Sequence, residues 1–160
     1  MKTKKTSILI AALFLTTSVF CLAQAGEEPP DFSAKDVSGR SVKLSELKGK
    51  VVLLDFWATW CPPCRVEIPN LLGIFRNFKD KDFVMISISL DRDLQAARLF
   101  VKDKKMDWLQ IIDLETGQAI AALYQVEYIP STFIINRRGK IEASHLLGGE
   151  LKNKIAALLK

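Results

Sequence analysis

Two cysteines, Cys61 and Cys64, lie in the stretch VVLLDFWATWCPPCRVEIP, residues 51–69. An apolar run precedes them and a helical pattern follows, so the pair falls where a strand gives way to a helix. A sulfur at the start of a helix meets unpaired N–H groups and the positive end of the helix dipole, and both lower a thiol pKa. We therefore expect Cys61 to be a nucleophile. Cys64, one turn further along, can attack the mixed disulfide that Cys61 forms with a partner.

Two other roles for this pair remain open from the residues alone. A structural disulfide across a two-residue gap closes a very small loop, so it stabilises little by chain entropy. A zinc site needs about four nitrogen, sulfur or oxygen ligands. The chain adds only Cys21 and its single histidine, His145, to which no role is assigned. The residues favour redox chemistry, and we expect no metal site.

Two acidic residues near the pair are candidates for moving protons. Asp55 interrupts an otherwise apolar strand six residues before Cys61, where burial should raise its pKa. The alternative for Asp55 is a carboxylate at a sheet edge, paired with a lysine. Glu67 lies one turn beyond Cys64, where it can tune the thiols or contact a partner. The alternative for Glu67 is an exposed residue of the first helical turn, stabilised there by the dipole.

The rest of the pattern predicts the elements that position these residues. Strand and helix patterns alternate as in βαβ units, and a hairpin and an amphipathic helix close the chain. We expect a mixed sheet, parallel inside with an antiparallel edge, and helices on both faces. The predicted segments are a hairpin at 35–44, a helical turn at 45–50, strands at 51–58, 83–90 and 108–113, helices at 66–78, 94–104 and 115–126, a hairpin at 131–148 and a helix at 149–160.

The N-terminus has the composition of an export signal. Lysines at 2, 4 and 5 precede an apolar run at 7–23, and Ala-Gln-Ala at 23–25 suits a signal-peptidase site. We predict a signal peptide at residues 1–25 and one domain at 26–160, located in the periplasm or cell envelope. An uncut segment retained as a membrane anchor is the alternative. Phe20 before Cys21 disfavours a lipid-modified N-terminus.

Charge disfavours a nucleic-acid partner. The chain carries a formal charge of +5, and removal of residues 1–25 takes away three lysines and no acid, which leaves +2. No basic stripe with interleaved aromatic residues remains. We expect contact with a membrane only if the N-terminal segment is retained.

These motifs resemble the thioredoxin superfamily and, within it, the exported TlpA-like branch. LDFWATWCPPC is similar to the active-site strand and helix start, YIPSTFIINRRGK to the cis-proline loop and hairpin, and FVMISISLDRD through WLQIID to the central insertion of this branch. The resemblance spans nearly all of residues 30–160. It implies a thioredoxin-like α/β fold: a mixed central sheet flanked by helices, with an N-terminal hairpin and a central strand-helix insertion.

The resemblance also implies roles for individual residues. It places a cis peptide bond at Ile129-Pro130, where an extended substrate strand would dock beside Cys61. It implies that Asp55 is the base that accepts the Cys64 proton. Trp60 would shield the disulfide and offer a docking face for the partner.

The expected activity is that of an exported thiol-disulfide oxidoreductase without an organic cofactor. Pro62 and Pro63 lack the N–H groups that would stabilise the Cys61 thiolate, so the sequence favours a reductant of client disulfides. The resemblance suggests apo-cytochrome c as a client and a membrane protein as the electron donor. A disulfide-introducing oxidant and a copper-handling module are the alternatives, although copper-handling relatives space their cysteines differently and add a histidine. A peroxidase is disfavoured because its Thr/Ser-x-x-Cys motif is absent.

Overall fold

The computed structural model describes residues 26–160, so the predicted export signal at 1–25 lies outside the described residues. A short antiparallel hairpin comes first, formed by β1 (Ser33–Lys35) and β2 (Ser41–Lys43). Gly39 takes a φ of +85° in its turn, a conformation that glycine adopts without steric cost. A single 3-10 turn, Leu44–Leu47, then leads into the main sheet.

The remaining elements follow the predicted alternation of strand and helix. Continuous apolar runs form the buried strands, and segments with a 3.6-residue apolar period form the helices. The elements are β3 (Val51–Trp57), α1 (Pro62–Phe78), β4 (Phe83–Ser89), α2 (Leu94–Lys104), β5 (Leu109–Ile111), α3 (Leu114–Leu123), β6 (Ser131–Ile135), β7 (Ile141–Ser144) and α4 (Gly148–Leu158).

Within the described residues the main sheet has the order β5-β4-β3-β6-β7. β3, β4 and β5 are parallel neighbours, whereas β6 runs antiparallel to β3 and β7 antiparallel to β6. The prediction of a mixed sheet is confirmed. The predicted antiparallel edge is β7, but the parallel part is not wholly internal, because parallel β5 forms the other edge.

Two apolar cores cover the two faces of this sheet. Successive side chains of β3 alternate between the faces. Leu53 and Trp57 pack in the core that contains Cys61 and Cys64, together with side chains of α1, α2 and α4. Leu54 and its neighbours on the opposite face of β3 pack against α3 and the N-terminal hairpin. The central strand is therefore buried on both sides, which explains its unbroken apolar sequence.

In the segment 26–160, no helix is long and apolar enough to cross a bilayer.

Candidate active site

Cys61 and Cys64 form a disulfide at the start of α1, with an S–S distance of 2.03 Å. Cys61 caps the helix, and its Sγ accepts a hydrogen bond of 3.2 Å from the Cys64 backbone N–H. Pro62 and Pro63 occupy the first two helical positions and have no N–H to donate. The Cys64 N–H is therefore the first donor along the helix that can reach the Cys61 sulfur.

The loop before β6 lies next to the same sulfur. The Ile129-Pro130 peptide bond is cis, as the family resemblance implied. Cys61 Sγ lies 3.7 Å from the carbonyl oxygen of Ile129. Trp60 precedes the nucleophile position with its side chain 64% exposed. The sulfur thus lies close to a backbone carbonyl, and the residue before Cys61 in the chain is an exposed aromatic.

Asp55 lies in the middle of β3 and is 1% exposed. By strand alternation it points to the same face as Leu53 and Trp57, the face whose core contains both cysteines. Ser87 Oγ, directly opposite on β4, donates a 2.8 Å hydrogen bond to Asp55 Oδ2.

The pKa of Asp55 is raised to about 7, chiefly by burial. The hydrogen bond from Ser87 lowers this pKa, whereas the negative charge of Glu67 raises it. The predicted direction of this pKa shift is confirmed. The alternative placement of Asp55 at a sheet edge is wrong, because β3 is the middle strand of the sheet.

Glu67 is half-buried and ties α1 to α4. Its Oε1 accepts a 2.8 Å hydrogen bond from the backbone N–H of Gly148, the first residue of α4, and a 2.6 Å bond from Asn70 Nδ2. A carboxylate at a helix N-terminus is favoured by the unpaired N–H groups and the dipole there. The alternative for Glu67, an exposed residue of the first helical turn, is wrong, because Glu67 is half-buried, lies beyond the first turn of α1 and contacts the N-terminus of α4.

A second buried carboxylate, Asp91, was not identified from the sequence. It is 1% exposed and accepts hydrogen bonds from the Thr59 backbone N–H at 3.0 and 3.1 Å and from Thr59 Oγ1 at 2.6 Å. Ser89 Oγ donates a further bond of 2.8 Å to Asp91. Asp91 thereby holds the turn that leads from β3 to Cys61.

A signal for Asp91 did exist in the sequence. β3 and β4 are parallel buried strands, so their carboxyl ends meet at one edge of the sheet. This geometry makes neighbours of the polar residues that follow each strand, Thr59 after β3 and Asp91 after β4.

The structure also shows the positions of Trp57, His145 and Arg65. Trp57 is 2% exposed and belongs to the core. His145 lies one residue past β7 with a φ of +58°. Its Nδ1 is 2.9 Å from Ser131 Oγ, next to the cis-proline. Arg65 is exposed on α1, as expected of a solvated helix residue.

No group of three or more potential metal-ligating side chains occurs in the part of the chain that the structure describes.

Several characterised proteins are similar to this chain. The thioredoxin domain of a thiol-disulfide oxidoreductase from Bacteroides vulgatus superposes with a TM-score of 0.79 at 31% identity, over 86% of this chain and 99% of that domain. A thiol:disulfide interchange protein from a Bacteroides species gives a TM-score of 0.76 at 31% identity, over 85% and 90%. Thiol-disulfide oxidoreductase ResA from Bacillus thuringiensis is 34% identical over 137 residues, which cover 86% of this chain and 78% of that protein.

The fold, the disulfide at the start of α1 and these relatives define a protein-disulfide oxidoreductase of the thioredoxin-like class. The family model described as AhpC/TSA matches residues 25–144. The chain belongs to the AhpC/TSA family.

Proposed function

We propose that this protein is exported and reduces disulfides in client proteins with the Cys61–Cys64 dithiol. The observation that carries the proposal is the position of Cys61 Sγ, which caps α1 and lies 3.7 Å from the Ile129 carbonyl. An extended client strand can hydrogen-bond to the backbone at Ile129 and Pro130 and bring its own disulfide to this sulfur. Trp60, exposed beside it, would supply an apolar contact.

The reaction passes two electrons to the client. The Cys61 thiolate attacks one sulfur of the client disulfide, a Cys61–client bond forms, and the other client sulfur leaves and takes up a proton. Cys64 then gives its proton to the Asp55 carboxylate, and its sulfur attacks Cys61 Sγ. The intramolecular disulfide forms, the client bond breaks, and the second client sulfur leaves as a thiolate that is protonated in turn.

Asp55 and Glu67 have separate roles in this proposal. Asp55 is the base for Cys64, and its raised pKa, about 7, suits a group that must take up and release a proton near neutral pH. Glu67 acts on the site through its charge, which raises the pKa of Asp55.

The donors around Cys61 support reduction as the direction. Cys61 Sγ accepts a capping hydrogen bond from the Cys64 N–H. Pro62 and Pro63, which lie between the two cysteines, have no N–H to donate. A thiolate with fewer donors is less stable, so the dithiol gives up its electrons more readily. The client class we propose is a cytochrome c precursor, because the two cysteines of its Cys-x-x-Cys-His segment can form a disulfide. The proposed source of electrons is a membrane protein.

The first test is the equilibrium reduction potential of the pair, measured by thiol trapping in dithiothreitol and glutathione buffers. We expect a value near that of thioredoxin, about −270 mV. A value near that of a strong disulfide donor, about −120 mV, would reverse the proposed direction and make the protein an oxidant.

The second test separates the two thiols. Cys64→Ser should trap clients on Cys61 as mixed disulfides, and Cys61→Ser should trap none. Purified Cys64→Ser should retain an oxidised Cys-x-x-Cys-His peptide, with a peptide of scrambled order as the control. Full turnover by Cys64→Ser would contradict the two-thiol mechanism.

A further inference from the structure

A buried hydroxyl group faces the Asp55 carboxylate across the sheet. Asp55 and Ser87 are register partners on the parallel strands β3 and β4. Ser87 is fully buried, and its Oγ donates a 2.8 Å hydrogen bond to Asp55 Oδ2. The hydroxyl is thus placed to stabilise the charged form of a carboxylate that burial would otherwise keep protonated.

An indole fixes the direction of that hydroxyl. Trp108 Nε1, just before β5, donates a 2.8 Å hydrogen bond to Ser87 Oγ. Trp108 is 6% exposed. The centroid of its ring lies 5.4 Å from the ring centroid of Phe75 on α1. Because the indole N–H can only donate, it occupies a lone pair of the serine oxygen and leaves the serine hydrogen for Asp55. Chains of hydrogen bonds aligned in this way strengthen one another.

We propose that Ser87 and Trp108 are positioning residues that set the pH range in which Asp55 accepts the Cys64 proton. The inference rests on the role proposed for Asp55 above and adds two residues that do not touch the reacting sulfurs. It also gives a function to the segment between β4 and β5, which brings the indole N–H to Ser87.

The groups around Asp55 support this assignment. Glu67 acts from α1 and raises the pKa of Asp55, as burial does, whereas the Ser87 hydrogen bond lowers it. On the other side β6 places Thr132 opposite Asp55, and the Thr132 hydroxyl donates to the carbonyl of Leu146. Among the described residues, the Ser87 hydroxyl is therefore the group that opposes burial at this carboxylate.

The direct test titrates Asp55 in the oxidised full chain by ¹³C NMR of its carboxyl carbon. Ser87→Ala removes the donor, so the midpoint should rise by about one pH unit. Ser87→Thr keeps a hydroxyl group at a strand position and should restore the midpoint.

The kinetic test follows the Cys64 step itself. Reduced protein is mixed with 5,5′-dithiobis(2-nitrobenzoate) in a stopped-flow instrument, and the second release of the coloured thiol reports the attack of Cys64 on Cys61. With the midpoint one unit higher, Ser87→Ala should slow this release about tenfold at pH 6. At pH 9 it should match the wild type, because Asp55 is then deprotonated in both proteins.

The chain supplies a matched control for Trp108. Trp57 Nε1 is also buried but has no hydrogen-bond partner among residues 26–160. Trp108→Phe removes a bonded indole N–H and should slow the release about threefold at pH 6, whereas Trp57→Phe removes an unbonded one and should leave the pH midpoint unchanged.

Asp55→Asn distinguishes a failure of the proposed base from a failure of the roles assigned to Ser87 and Trp108. If Asp55→Asn slows the release at pH 6 and Ser87→Ala does not, the inference about Ser87 and Trp108 is overturned and the role of Asp55 stands. If Asp55→Asn has no effect at pH 6, the proposed base is wrong and the inference falls with it. Equal effects of Trp57→Phe and Trp108→Phe would show that a buried indole, and not its hydrogen bond, matters.

Discussion

Asp91 accepts hydrogen bonds from Thr59 and Ser89 while almost completely buried. Asp91→Ala would leave two hydroxyl groups and a backbone N–H without an acceptor, so we expect the free energy of unfolding to fall by about 3 kcal/mol. Urea denaturation measures this loss. Asp93→Ala is the control, because Asp93 is exposed and makes one capping bond to the Ala96 N–H, worth about 1 kcal/mol. Equal losses in the two variants would show that Asp91 stabilises the fold no more than a single helix cap does.

The charge of Glu67 raises the pKa of Asp55, so its removal should act opposite to the loss of Ser87. Glu67→Gln keeps an oxygen that can accept from the Gly148 N–H and removes only the charge. We expect the Asp55 midpoint in the oxidised protein to fall by about half a pH unit, the size of a screened interaction. The ¹³C NMR titration described above measures it, and Glu150→Gln, in an exposed position on α4, should leave the midpoint unchanged.

The sequence identified residues whose chemistry is visible locally and missed those whose role depends on pairing across the sheet. Cys61 and Cys64 stand out by spacing, and Asp55 by its polarity within an apolar strand. Ser87 and Asp91 each bond to a residue 32 positions away, and both contacts depend on the pairing of β3 with β4. A serine in a buried strand is unremarkable until its neighbour is known to be a carboxylate.

At the scale of elements, periodicity predicted the helices and strands but not the place of each strand in the sheet. The apolar periods located α2 at residues 94–104, the bounds that the structure gives. The same periods report burial and not which strand is the neighbour, so the position of β5 at the edge was missed. Strand order is fixed by the crossover connections and by which faces the helices cover.

The contact between α3 and β4 gives a prediction about glycine. A Cβ at Gly117 would lie 2.5 Å from the carbonyl oxygen of Ser89, a backbone atom that cannot turn away, whereas a Cβ at Gly73 on α1 would meet nothing within 4 Å. Gly117→Ala should destabilise the protein by about 1–3 kcal/mol through overpacking. Gly73→Ala should stabilise it by about 0.5–1 kcal/mol, because alanine restricts the unfolded chain more than glycine does. Thermal or urea unfolding of both variants checks the contrast, and destabilisation by Gly73→Ala would contradict it.

At the scale of the whole molecule, one carboxylate lies in the central strand between two apolar cores. Glu67 raises its pKa from α1, and Ser87 lowers it from β4. The segment between β4 and β5 contributes the Trp108 hydrogen bond to Ser87. The α1 helix starts at the disulfide and crosses the same face, so the disulfide and the Asp55 carboxyl group face one core. In the proposed mechanism, a change in the protonation of Asp55 therefore affects both the reaction and the stability of the fold.

This coupling predicts how stability depends on pH. The pKa of Asp55 is about 7 in the folded protein and about 3.8 in the unfolded chain, so the folded state holds its proton more tightly. The resulting stabilisation is fully present below about pH 4 and is lost as pH rises through about 7, a decrease of about 4 kcal/mol in the free energy of unfolding. Other carboxyls contribute with the opposite sign at low pH, since the pKa values of Asp36 and Glu142 are lowered by their hydrogen bonds and ion-pair partners.

The measurement is therefore the difference between the wild type and Asp55→Asn, both oxidised, in urea denaturation at pH 4 and pH 8. The stability of Asp55→Asn relative to the wild type should increase by about 4 kcal/mol between these two values, because asparagine has no charge to bury. A difference that is independent of pH would mean that Asp55 does not titrate in this range, and its proposed role as the base for Cys64 near neutral pH would lose its physical basis.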